Sequence, residues 1–280
     1  MKMKNYIKSA VVIALTGLLL TACGDSKSSE SVNSLPVVDS ETSTPEKTSL
    51  DASSLKKPST IDVSTVKVLM EDKLTFVEGE ERWVFGNDKF ARSSIVTITF
   101  LDTLNDKMAN EEAWDVSQEQ DGTVMAWIKP VDREEMDFEG YDLYIAAEGG
   151  IVASSGEALF AGYENVTEIK FNNCFHTDGV TNMGYMFYDC NSLEQIDLSS
   201  FDTGSVTNMN SMFYGCSSLE GLVFGGSFDT SQVTDMSAMF YDCSNLKELD
   251  LGGFELSQET NTENMLYNAG ITAQEAGLPQ

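Results

Sequence analysis

The stretch Val206–Phe224, VTNMNSMFYGCSSLEGLVF, decides how the rest of the chain is read. In it Met209, Met212, Phe213 and Cys216 fall at i, i+3, i+4 and i+7, the spacing that gathers apolar side chains on one face of a short helix. The period then changes. Leu219, Leu222 and Phe224 follow an LxxLxL pattern, whose last two members alternate with outward positions as in a strand with one buried face. Neither element is long enough to bury its apolar face alone, so each unit needs a neighbour stacked against it.

Near copies supply the neighbours. Val166, Leu193, Leu219 and Leu246 follow one another at intervals of 27, 26 and 27 residues. Cys190, Cys216 and Cys243 keep the same phase, as do Met186-Phe187, Met212-Phe213 and Met239-Phe240. Phe175, Phe201, Phe228 and Phe254 mark a turn after each strand. A last copy decays, with Glu259, Thr262 and Ala269 at positions that hold Val233, Met236 and Cys243 one copy earlier, as a terminal cap requires. The expected fold class is an α/β solenoid, a short leucine-rich-repeat-like stack of ~26-residue helix-strand coils with a parallel sheet and an irregular amino-terminal cap. The expected cap covers 60–150, where Ile95, Ile98 and Phe100 repeat the strand spacing and Val124 to Ile128 and Tyr141 to Ala146 read as strands. The expected repeat region covers 151–280.

Phe201–Leu219, FDTGSVTNMNSMFYGCSSL, and Phe228–Leu251, FDTSQVTDMSAMFYDCSNLKELDL, resemble the repeat of the BspA-type leucine-rich-repeat surface proteins, frequent among bacterial and mycoplasma lipoproteins. Trp114–Ile128 and Tyr141–Gly150 resemble the segment that commonly precedes such repeats. The resemblance implies a surface-exposed solenoid that mediates contact, with host, matrix or other bacterial surface proteins as partners.

The amino terminus agrees with that placement. Lys2, Lys4 and Lys8 precede an apolar run, Ala10 to Leu20, too short for a comfortable membrane span. Leu20, Thr21, Ala22 and Cys23 then resemble a bacterial lipoprotein signal, which implies a signal peptide over 1–22, a lipidated Cys23 and attachment to the outer side of the cell envelope by lipid alone. Residues 23–59 are rich in Ser, Thr, Asp and Lys with scattered Leu and Val, and read as a disordered tether spanning roughly 35 Å as a coil.

Among 280 residues 45 are acidic and 17 basic, for a formal charge of −28. Nucleic acid and anionic lipid headgroups are therefore disfavoured, because binding phosphates depends on Lys and Arg releasing counterions.

If Leu222 and Phe224 face inward, Gly221, Val223 and Gly225 face out. Their counterparts are Glu168, Lys170 and Asn172 in one copy, Gln195, Asp197 and Ser199 in another, and Glu248, Asp250 and Gly252 in a third. Together they form an exposed, mainly acidic ledge, the candidate partner-binding surface, with solvated strand faces as the plainer reading.

Candidate chemistry is sparse. His176 is the only histidine and stands where other copies carry Asp202 and Asp229, an outward turn position, so a Ser/His/Asp or Cys/His site is not expected. The phased cysteines read as small buried hydrophobes or, in an exported protein, as disulfides between adjacent coils. Asp132, Glu134, Glu135, Asp137, Glu139 and Asp142 are weakly compatible with calcium or an acid/base pair, against the plainer reading of a solvated turn. Trp83, Trp114, Trp127, Tyr141 and Tyr144 are either cap core or a sugar-stacking platform. The expected function is thus a lipid-anchored adhesion-type binding module without catalysis, and the alternative a carbohydrate-binding or hydrolytic surface lipoprotein that uses the acidic loop and aromatic cap.

Overall fold

A computed structural model of the chain describes residues 67–70, 82–104, 112–131 and 136–278. Its strands are β1 (Lys67–Leu69), β2 (Ile95–Leu101), β3 (Trp114–Asp115), β4 (Met125–Val131), β5 (Gly140–Ala146), β6 (Ile151–Ala153), β7 (Glu168–Lys170), β8 (Phe175–His176), β9 (Gln195–Leu198) and β10 (Gly221–Phe224). They form a parallel sheet β1-β6-β8, a mixed sheet β3-β4-β5-β2-β7 and a parallel pair β9-β10. In the mixed sheet β4 runs antiparallel to β3 and β5, while β2 runs parallel to β5 and β7. The expected strands at Val124 to Ile128 and Tyr141 to Ala146 are β4 and β5, and β2 carries Ile95, Ile98 and Phe100 inward at full burial.

The solenoid of helix-strand coils is overturned. Among the described residues no α-helix forms, the only helical element being the 3-10 turn Arg92–Ser94. The strands fall into three sheets in place of one parallel sheet. The apolar face expected of the helix does exist, since Met209, Met212, Phe213 and Cys216 are all fully buried. The backbone beneath them is a chain of tight turns. Met212, Tyr214 and Cys216 donate their amides three residues back, to Met209, Ser211 and Phe213, at 3.1–3.3 Å. The intervening amides leave the copy altogether: Met209, Ser211, Phe213 and Gly215 donate to Asp235, Ser237, Met239 and Tyr241 of the next copy, each at 2.8 Å.

Corresponding amides make the corresponding bonds at every junction, from Gly156, Ala158, Phe160 and Gly162 through to Met236, Ala238, Phe240 and Asp242. An α-helix sends each amide four residues back within one segment, so it is incompatible with this pattern. The alternation is built with left-handed residues at two positions per copy, Ala158 and Gly162, Tyr185 and Asp189, Ser211 and Gly215, Ala238 and Asp242, Asn264 and Asn268, all with φ between +52° and +75°. Each interrupts the right-handed run that a helix needs.

Side chains follow the backbone register. The rings of Phe160, Phe187, Phe213 and Phe240 stack face to face at 5.2–5.4 Å inside the core. Outside it Tyr188, Tyr214, Tyr241 and Tyr267 stack at 4.7–4.8 Å. The hydroxyl of buried Thr203 donates to the Asp229 carbonyl at 2.7 Å and accepts the Asp229 amide at 2.7 Å, and Thr177 clamps Asp202 in the same way. The recurrent FDT triplet therefore joins copies through its threonine, while Asp202 and Asp229 cap the local amides of Gly204 and Ser231.

Cys174, Cys190, Cys216 and Cys243 are free, in place of the disulfides between adjacent coils. Cys190, Cys216 and Cys243 each donate Sγ–H to the carbonyl of Phe160, Phe187 or Phe213, at 3.1 Å. Cys174, out of phase, donates to its own turn at Phe171.

Toward the amino terminus the stack is closed by one residue. The Ala161 carbonyl is the counterpart of the Tyr188 carbonyl, which accepts an amide from the copy before it. In place of that amide the fully buried Arg92 guanidinium donates to Ala161 O at 2.6 Å, and its Nε donates to Trp83 O at 3.0 Å. The charge lies over the Tyr163 ring, 4.8 Å from its centroid.

Two outcomes are expected. In hydrogen exchange, the amides of Met209, Ser211, Phe213 and Gly215 exchange on the order of 100-fold or more slowly than those of Thr262, Asn264, Leu266 and Asn268, which sit at the same positions but donate to no backbone carbonyl among the described residues. Equal rates would contradict the ladder. The second concerns the thiols. Burial pushes Cys190 and Cys243 up to about 12 and Cys174 to about 11, whereas an unfolded thiol titrates near ~8.5. Their contribution is present in full below the unfolded value and is lost as the pH rises through the folded ones. Urea midpoints should therefore hold to about pH 8 and fall from about pH 9 upward, with a shallower fall in Cys190→Ala/Cys243→Ala.

Candidate functional site: the outer ledge

The ledge takes its shape from strand register. Gln195 of β9 pairs with Gly221 of β10, which in turn bridges Glu248, and Asp197 pairs with Val223. Counting on two residues from the Gly221–Glu248 bridge makes Asp250 the counterpart of Val223 in the next copy. One row, Gln195-Gly221-Glu248, is bridged throughout; the pair Asp197-Val223 starts a second that Asp250 continues by repeat position, and β7, with Glu168 and Lys170, contacts β9. Strand alternation buries Ile169 and Ile196 and leaves Glu168, Lys170, Gln195, Asp197, Glu248 and Asp250 exposed. Val223 is 49% exposed, one of few large apolar side chains so open.

Between β7 and β9 no ladder forms among the described residues, and the surface dips there into an open groove of about 590 Å³. The groove is bordered by Glu168, Lys170, Gln195, Asp197, Gly221 and Val223, among others. A second hollow of about 430 Å³ continues past Leu222 and Glu248 toward Asp250 and Glu275.

The basic groups here are already engaged. Lys170 Nζ lies 2.8 Å from Glu168 Oε2, and Lys247 Nζ lies 2.6 Å from Glu220 Oε1. Asp197 accepts the Ser199 amide at 2.9 Å through Oδ1, and Asp250 accepts the Gly252 amide at 2.9 Å in the same way. Both aspartates are exposed. The arrangement can hold cations and polar backbone groups beside an apolar notch.

Gly225 does not belong to the ledge. A Cβ there would stand 2.2 Å from the Ser199 carbonyl oxygen, so its missing side chain is what allows β10 to turn away close over the preceding copy. Phe224 and Leu222, read as inward, are only half-buried.

Other sequence expectations resolve differently. His176 is not a turn residue: it lies on β8 beside Val152 of β6, and burial lowers its pKa against the pull of Asp178. Trp127 is 1% exposed and stacks on Tyr144 at 5.4 Å, while Trp114 stacks on Phe90 and donates to the Phe85 carbonyl. Tyr141 packs edge-on against Phe90, so these aromatics are engaged with one another, while Trp83 stays exposed. Asp137 and Glu139 are exposed loop residues, and among the described residues no three acidic, His or Cys side chains gather as metal ligands. Cys23, Asp132, Glu134 and Glu135 lie outside the described residues.

Three features escaped sequence reasoning: the tyrosine stack, the Arg92 plug and the left-handed turns. The last had a signal. The second left-handed position of every copy is Gly162, Asp189, Gly215, Asp242 or Asn268, drawn entirely from the residues that tolerate that conformation.

Replacing Gly225 with Ala should destabilise the fold by about 1–3 kcal/mol through overpacking against Ser199. Gly226→Ala, where an added methyl meets nothing within 4 Å, serves as the matched control. Equal urea midpoints for the two variants would refute the close approach.

Residues 156–277, the stacked copies, match the model of a family described as Mycoplasma protein of unknown function, DUF285. No curated protein and no solved structure matches the chain.

Proposed function

We propose that this is a lipid-anchored bacterial surface protein whose outer ledge makes protein or cell contacts, with host, matrix or other bacterial surface proteins as partners. The amino-terminal features support it. A basic, then apolar stretch ends at Ala22-Cys23 and is followed by a polar segment long enough to carry the folded part off the envelope. Cys23 would hold the chain to the membrane by lipid, on the extracytoplasmic side. The match of residues 156–277 to a Mycoplasma family supports a repeat protein of that kind in general terms.

The observation that carries the reading is the convergence of outward residues from separate copies onto one concave strip with an exposed Val223 at its centre. Repeat surfaces used for binding have this layout, in which a rigid stack presents variable residues from successive units. A role in binding without catalysis also suits the nucleophiles present. The thiols of Cys174, Cys190, Cys216 and Cys243 are buried and held protonated, and the single histidine is half-buried in a sheet.

Two measurements test the proposal. Cys23→Ser should move the chain from the membrane fraction to the soluble fraction. The triple variant Asp197→Asn/Val223→Thr/Asp250→Asn, at an unchanged urea midpoint, should weaken capture of intact cells or matrix-coated surfaces by about tenfold, the scale of losing a central cluster of contacts. Capture by the triple variant equal to that of the native chain would remove the ledge as the contact surface.

A further inference from the structure

Charge on the ledge is one-sided once internal pairing is counted. Lys170 and Lys247 are each held by a glutamate of their own surface. Among the described residues the carboxylates of Asp197, Glu248 and Asp250 have no basic partner; Val223 pairs with Asp197, and Asp250 is its counterpart in the next copy by repeat position. Neighbouring strands lie ~4.8 Å apart, so the aspartates are separated by about 10 Å across the apolar notch. That distance is too great for a single metal ion to be chelated by both, since each Ca–O bond is only ~2.3–2.6 Å.

It suits a polypeptide. On an extended strand residues i, i+2 and i+4 share one face, and the outer two are ~13 Å apart at Cα. Two lysines or arginines at those outer positions can bend inward by the few ångströms needed, because their long stems are flexible and lie readily along apolar surface. The residue between them then meets Val223. The formal charge of −28 favours approach of such a segment over any acidic one.

We propose that the ledge binds an extended cationic polypeptide segment of the form basic-x-apolar-x-basic, its basic side chains on Asp197 and Asp250 and its apolar side chain over Val223. This rests on the reading of the ledge as the contact surface.

The probe is a fluorescein-labelled peptide with the core Lys-Thr-Val-Thr-Lys, titrated with the full chain by anisotropy. Saturable binding that weakens with added salt is expected, with no binding of the matching Glu-Thr-Val-Thr-Glu peptide. Asp197→Asn/Asp250→Asn keeps the side-chain oxygens that accept the Ser199 and Gly252 amides and should weaken binding about tenfold. Glu259→Gln/Glu263→Gln, the same charge change at exposed positions of the last copy, should alter it less than about twofold. Equal losses from the two double variants would mean attraction by the overall field alone and would overturn the proposal. So would binding of the glutamate peptide, or no saturable binding of the lysine peptide. Loss of cell capture in the ledge triple variant together with a silent lysine peptide leaves the contact surface standing and refutes only its cationic partner.

Discussion

The structure depends on a hydrogen bond that leaves its own copy. Every second amide of the turn segment donates to the next copy, and the amides between them close three-residue turns. A segment bonded this way has its donors divided between holding its own shape and holding its neighbour. Shape and stacking therefore cannot be separated: a lone copy would expose half of these donors to water, and adding a neighbour satisfies them while covering the same Met, Phe and Cys side chains. The ring spacings of 4.7–5.4 Å are a consequence, since copies joined by backbone hydrogen bonds must sit near the ~4.8 Å strand separation, which is also close to the contact distance of stacked rings.

The ladder has a direction, and its first carbonyls need a donor that is not another copy. Arg92 provides it from outside the repeats. Its guanidinium is buried, engaged with the backbone carbonyls of Trp83, Ala158 and Ala161 and laid over an aromatic ring, the environment in which a buried cation is tolerated. The mixed sheet does the same work on the other side of the core, where β2 pairs with β7 as a preceding strand would. The cap is therefore matched to the first copy by hydrogen bonds as well as by the apolar contacts that run from Leu69 to Ala276 in one cluster.

This explains what could be read from residues alone. The inward set was legible, because burial needs only a periodic apolar pattern, and Met209, Met212, Phe213 and Cys216 obey it. The backbone was not. Spacing of three, four and seven arises from a helix, and equally from two successive tight turns that return the chain to the same face, so the pattern could not separate them. The discriminating residues were the polar ones. A helix has no need of Gly, Asp or Asn at one fixed position in five copies, whereas a left-handed turn does. The outward positions were legible from strand alternation, except on β10, where Leu222 and Phe224 are only half-buried and the missing side chain of Gly225 marks close packing and not exposure. Arg92 had no repeat partner to betray it, and burial of Trp127 depends on neighbours distant in sequence.

Stacking like charges in register carries an electrostatic penalty that some rows of the chain reduce by alternation. Identical charged residues in adjacent copies would lie about 5 Å apart, well inside the ~8 Å screening length at physiological salt. The chain, of net charge −28, keeps like charges in adjacent copies at Asp202 and Asp229 and at Glu194 and Glu220, but separates them elsewhere. Along the left-handed positions Asp189 is followed by Gly215, Asp242 and Asn268; along the bridge positions Asn182 and Asn208 precede Asp235 and Asn261. On the ledge, Gly221 divides Gln195 from Glu248 and Val223 divides Asp197 from Asp250. Doubling the separation of the two aspartates halves their Coulomb repulsion before screening and carries them beyond the screening length. A surface made this way is acidic at its edges and uncharged at its centre, so any partner that uses the centre must also satisfy the edges, and the two requirements together define the ligand far more narrowly than net charge does.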